Sequence, residues 1–91
     1  MTIEEKEEKM TSTIKLKLDE IDYRITSIIS YYHENMKLRD NTYKNTIITS
    51  FTEPLLNSET SIITDSETLE MLYVWTGPTR YMEINDFFIK K

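Results

Sequence analysis

The strongest constraint in this chain is a run of apolar residues at helical spacing. Ile14, Leu18, Ile21, Ile25, Ile28, Tyr32 and Met36 follow one another at intervals of four, three, four, three, four and four. Residues so spaced fall on one stripe of an α-helix, with Lys15, Lys17 and Asp19 turned away from it. The spacing predicts one long amphipathic helix from Met10 to Arg39. A helix of ~30 residues would run about 45 Å, longer than a compact domain of this size is wide. It has to bend, break, protrude or pair with a partner. The stripe residues Ile14, Leu18, Ile21, Ile25, Ile28, Tyr32 and Met36 are therefore candidate partner-binding residues as well as candidate core.

Before the stripe, Glu4, Glu5, Glu7 and Glu8 suit the positive end of a helix, and residues 1–9 are expected to fray. After it, Asp40-Asn41-Thr42 reads as a helix end, because short polar side chains compete for the backbone and Asn tolerates left-handed geometry. Tyr43 to Phe51 reads two ways. Ile47, Ile48 and Phe51 share a helical face, which favours a helix stopping before Pro54. Alternatively, Thr46-Ile47-Ile48-Thr49 pairs as a short strand with Ser61-Ile62-Ile63-Thr64. Residues 52–63 serve as a connector in the first reading.

The C-terminal third reads as two helices around a turn. Thr64-Asp65-Ser66-Glu67 has the spacing of a capping box, and a helix from Asp65 to Trp75 follows with Leu69, Leu72 and Tyr73 on one stripe. Gly77 supplies a left-handed residue after the helix, Pro78 forbids its continuation, and Thr79 caps a last helix running to the terminus.

Composition excludes several functions. The chain has 91 residues, no Cys, one Gly and a net charge of −5. Without Cys there are no disulfides, thiolate metal sites or cysteine nucleophiles, and one glycine cannot build a phosphate loop. The negative balance argues against nucleic-acid binding, which needs clustered Lys and Arg. No apolar run approaches the ~20 residues of a membrane span, and the charged start does not resemble a signal peptide. Ala and Gln are absent while Ile, Thr, Lys, Glu, Asn and Ser abound, a bias that fits an AT-rich genome such as those of many viruses, phages and Firmicutes.

His33 has no carboxylate at helical spacing to support metal or acid–base work. Glu67 with Glu70, and Asp19 with Asp22, stand three apart but among polar residues, where both carboxylates would face water. The six Tyr and one Trp suit a core or a half-wet interface.

One segment carries a family resemblance. Trp75-Thr76-Gly77 looks like the aromatic-Thr turn, and Tyr81-Met82-Glu83-Ile84-Asn85 like the helix opening, of the ADP-ribosyltransferase exoenzyme fold. Ser66-Glu67-Thr68-Leu69-Glu70 is similar to that family's preceding capped helix. Trp75, Thr76, Gly77, Pro78, Tyr81 and Asn85 are thus expected as a structural turn. The gap between Thr76 and Tyr81 is one residue longer than the common form, Trp replaces the usual Tyr, and Ile89 stands near where the family often has Arg. The family's catalytic Arg, Ser-Thr-Ser strand and Glu-x-Glu turn have no counterpart in residues 1–91, so the resemblance implies an N-terminal fragment or reduced relative lacking the NAD-binding and catalytic elements.

The sequence therefore predicts a mainly α fold: one small helical domain over 1–91, with a long N-terminal helix and a C-terminal helix–turn–helix pair. Its expected function is a non-enzymatic interaction module of viral or phage type, needing no cofactor. It would bind a protein partner or a second copy through the long helix, in the cytoplasm, with no nucleic-acid or membrane contact.

Overall fold

Thr2 sets the start of the first element. Its hydroxyl accepts the Glu5 N–H at 3.1 Å while its own N–H donates to Glu5 Oε1 at 3.0 Å, a reciprocal capping box. The Thr2 amide, helped by the hydroxyl, also holds the Glu5 carboxyl below its ordinary value. Helix α1 then runs Ile3–Glu20, so the residues expected to fray form its first two turns. Its termination is equally specific. Asp22 adopts φ 55°, the Tyr23 N–H reaches Leu18 O at 2.9 Å and the Asp22 N–H reaches Asp19 O at 3.1 Å, the bond pattern of a Schellman end.

The computed structural model describes residues 1–55 and 58–89. Beyond α1 come β1 (Ser27–Lys37), β2 (Tyr43–Thr52), β3 (Glu59–Asp65), β4 (Met71–Gly77) and β5 (Arg80–Met82), then the single-turn α2 (Ile84–Phe87). The strands form one antiparallel meander in the order β1-β2-β3-β4-β5. Its centre is the pairing of β2 with β3, Thr46 opposite Asp65 through Thr52 opposite Glu59. The two segments weighed as a lone strand pair thus lie in the middle of a five-stranded sheet.

The mainly helical expectation is overturned by this sheet. The long helix stops at Glu20, and Ile28, Tyr32 and Met36 of its stripe belong to β1. The segment favoured as a helix before Pro54 is β2. The helix expected over Asp65 to Trp75 is a turn followed by β4. The Asp65 carboxylate accepts the N–H groups of Glu67 at 2.8 Å and Thr68 at 3.4 Å, which folds the chain back instead of starting a helix. The helix expected from Thr79 is β5 and the four residues of α2. Leu56 and Asn57 of the expected connector, and Lys90 and Lys91 of the expected last helix, lie outside the described residues.

Both helices cover the same face of the sheet. Met10, Ile14 and Leu18 of α1 pack on Ile47 and Phe51 of β2, Ile62 of β3 and Val74 of β4, all but solvent-free. Ile84, Phe87 and Phe88 close the other side of this layer, with the Phe87 ring 5.5 Å from Tyr23 and 6.0 Å from Phe51. Each fully buried side chain of this layer, such as Ile14, Ile47 or Phe51, contributes about 1.5–3 kcal/mol by leaving water.

Candidate functional site

Antiparallel pairing places directly opposed residues on the same face, which defines the side of the sheet away from the helices. One row across it reads Ile29, Ser50, Ser61, Trp75, Tyr81, and the next reads Tyr31, Ile48, Ile63, Tyr73. Central members of these rows are buried: Ile48, Ile63 and Tyr73 form a second apolar cluster with Leu38, joined by Met36 and Leu72. The outer members stand in solvent. Ile29 is 63% exposed, Tyr31 42%, Trp75 38% and Tyr81 43%. An apolar and aromatic surface therefore lies on the one face without a helix.

Several polar groups on and beside this face are paired. The Ser50 and Ser61 hydroxyls share a hydrogen bond of 2.8 Å between the larger flanking side chains. Along one side, the Arg39 guanidinium lies 4.8 Å from the centre of the Tyr73 ring and donates to Glu83 Oε1 at 2.6 Å. Tyr81 meets Tyr73 edge to face with ring centres 5.3 Å apart. Burial pushes the Tyr73 phenol above its ordinary value, against the pull of a hydrogen bond from the Arg39 backbone. At the end of the sheet, Lys44 Nζ lies 3.3 Å from Asp65 Oδ2. Burial drives the Asp65 carboxyl upward, but the amides of Glu67 and Thr68 and the Lys44 ammonium outweigh it and hold the group below its ordinary value. Two ion pairs thus stand at the rim of the face, and the exposed Glu59, opposite Thr52, adds a carboxylate outside them.

The stripe residues are distributed otherwise than as one docking surface. Ile14 and Leu18 are in the core at 0% and 1% exposure. Ile21 caps the C-terminus of α1, Ile25 precedes β1, and Ile25, Ile28 and Tyr32 pack against the helix-side core. Met36 lies on the opposite face beside Leu38. The turn residues fall in a β-hairpin. Trp75 pairs with Tyr81, Thr76 follows in β4, Gly77 pairs with Arg80, Pro78 occupies the connection, and Asn85 is exposed on α2. The expected helix–turn–helix pair is replaced by the β4–β5 hairpin.

Ile29 sits off the helical stripe and is missed by that reading, whereas Tyr31 falls beside the stripe, where it suits core or interface. Their signal is the alternation of Ile29 and Tyr31 with Ile28, Ser30 and Tyr32, which distributes large side chains to both faces of a strand. His33 is exposed on β1 opposite Thr46, and Glu67 and Glu70 are exposed in the β3–β4 turn. Among the described residues no group of three or more His, Asp or Glu is arranged to hold a metal ion, and no helix is long and apolar enough to cross a membrane. No family model, curated protein or solved structure matches the chain.

Proposed function

We propose that this protein is a non-enzymatic interaction module that docks through the helix-free face of its sheet. The observation that carries this reading is the exposure of Ile29, Tyr31, Trp75 and Tyr81 on one side of a sheet whose helices lie on the other. Tyr and Trp give large contact area with little entropy to lose, and buried interface centres favour them over Lys, Glu and Asp.

Charge favours a second copy as the occupant. Two molecules of net charge −5 repel over most of their surfaces. On this face, however, Arg39 is matched by Glu83 and Lys44 by Asp65, which leaves the exposed Glu59 at one end as the carboxylate outside those pairs, so two copies meet here with less like charge than over the rest of their surfaces. A two-fold arrangement would stack the two sheets between outer helical layers.

The test is mass in solution by sedimentation equilibrium over a wide concentration range. A concentration-dependent dimer is expected, abolished by Trp75→Lys with the circular dichroism spectrum unchanged. A chain that stays monomeric at millimolar concentration, or a dimer indifferent to Trp75→Lys, overturns the reading.

A further inference from the structure

The outer edge of β1 presents a second surface with different chemistry. β1 is an edge strand of 11 residues, paired among the described residues only with β2. Its Tyr32 N–H points out of the sheet and donates to Glu7 Oε2 at 2.8 Å. Amides alternate sides along a strand, so Ile28 and Ser30 present their N–H and C=O groups to the same outer side. An unpaired edge of this kind is a template for another strand.

A groove runs beside this edge between α1 and β1, lined by Glu4, Glu7, Glu8, Thr11, Ile28 and Ser30 among others, none of them a cation. Two bonds fix how its walls are aligned. Glu7 meets Tyr32, and Thr11 donates to Ser30 Oγ at 2.6 Å, so four helical residues run antiparallel to two strand residues. The lengths agree, because four helical residues rise about 6 Å and two strand residues about 6.7 Å. Glu4 and Glu8 are separated by that same interval on the exposed side of the helix.

We propose that this groove takes an extended segment of a partner protein bearing Lys or Arg at alternate positions. The segment adds to β1 as a sixth strand, displaces the Glu7 carboxylate from the Tyr32 amide, and sets successive basic side chains against Glu4 and Glu8. Main-chain pairing supplies affinity and the carboxylates supply selectivity. A second copy is the poorer occupant here, since β1–β1 pairing would bring two sets of Glu4, Glu7 and Glu8 together.

The test uses the whole chain and short peptides followed by amide exchange and chemical shift. A peptide alternating valine and lysine is expected to bind, to protect the Ile28, Ser30 and Tyr32 amides, and to weaken as salt is raised. The glutamate counterpart, and a valine–lysine peptide methylated on alternate backbone nitrogens, should each bind at least about tenfold more weakly. Glu4 and Glu8 are both exposed, so the double variant Glu4→Lys, Glu8→Lys keeps the fold and should lose about the same factor. Trp75→Lys should leave peptide binding unchanged, which separates this edge from the aromatic face. Equal binding of the methylated peptide, equal binding of the glutamate peptide, or no binding by the lysine peptide each overturns the proposal.

Discussion

The backbone N–H of Tyr32 donates to Glu7 Oε2 at 2.8 Å, so a helix side chain occupies a hydrogen-bonding position that another strand would fill. Glu7→Ala should leave that amide with water as its only acceptor and cost about 1 kcal/mol, the usual net value of one such bond. Glu7→Gln keeps an acceptor and should recover most of the loss. Hydrogen exchange at Tyr32 checks this directly, since the amide should exchange faster in Glu7→Ala than in Glu7→Gln. Equal rates in both variants would show that the carboxylate does not close the edge.

Thr64 is fully buried on the helix side of β3, and its hydroxyl has no hydrogen-bond partner among the described residues. A buried polar atom without a partner loses its hydration and gains nothing back. Thr64→Val keeps the β-branched shape that suits a strand and removes only the polarity. Stability should rise by about 1 kcal/mol, or about 4–8 °C in thermal midpoint for a domain of this size. An unchanged or lowered midpoint would mean that the hydroxyl finds a partner in solution.

Asp65 links the sheet to pH. Its carboxyl titrates below its ordinary value of 3.8 in the folded chain, because the amide donors and Lys44 outweigh the effect of burial. The ionised form is therefore the one that folding favours. Its contribution is fully present above the unfolded value near 3.8 and disappears as pH falls through the lower folded value. At neutral pH, Asp65→Asn should cost about 1–2 kcal/mol through weaker bonds to Glu67 and Thr68. Urea midpoints for the two proteins should converge toward pH ~2 as the native carboxyl is protonated. A gap that persists at low pH would assign the effect to geometry instead of charge.

How far the fold is legible in the sequence turns on a numerical coincidence. Ile28 and Tyr32 are four apart, an interval that returns to the same face in a helix and, as a multiple of two, in a strand. The helical part of the stripe ends where Asp22 takes a left-handed φ of 55°, a conformation Asp tolerates but the apolar spacing does not reveal. Composition carried the missing information. Ile28-Ile29, Tyr31-Tyr32 and Val74-Trp75-Thr76 are β-branched and aromatic runs, which suit a pleated sheet once neighbouring strands exist to receive them. A single strand gains little alone, so β1 and β4 become stable only through β2 and β3, and local pattern cannot report that dependence. The aromatic weight of the chain suits core and interface alike, and which aromatic residues face outward depends on register, where one step exchanges the two faces.

Gly77 shows the same confusion of helix end with hairpin. At a helix C-terminus it would be needed for a left-handed φ, and a β-carbon there would be costly. It instead lies at the end of β4 opposite Arg80, with no positive φ, and a β-carbon built on it meets nothing closer than Arg80 Cβ at 3.9 Å. That is ordinary van der Waals contact. Gly77→Ala should therefore stabilise the chain by about 0.4–1 kcal/mol, because it restricts the unfolded backbone without straining the folded one. Gly77→Val should be tolerated as well, since β-branched residues suit a strand. Trp75 is the sole tryptophan and stands two residues away, so its emission should stay at the native wavelength in both variants while the thermal midpoint holds or rises. A fall of several degrees in Gly77→Ala would restore the left-handed reading of this position and remove the β4–β5 hairpin from the fold.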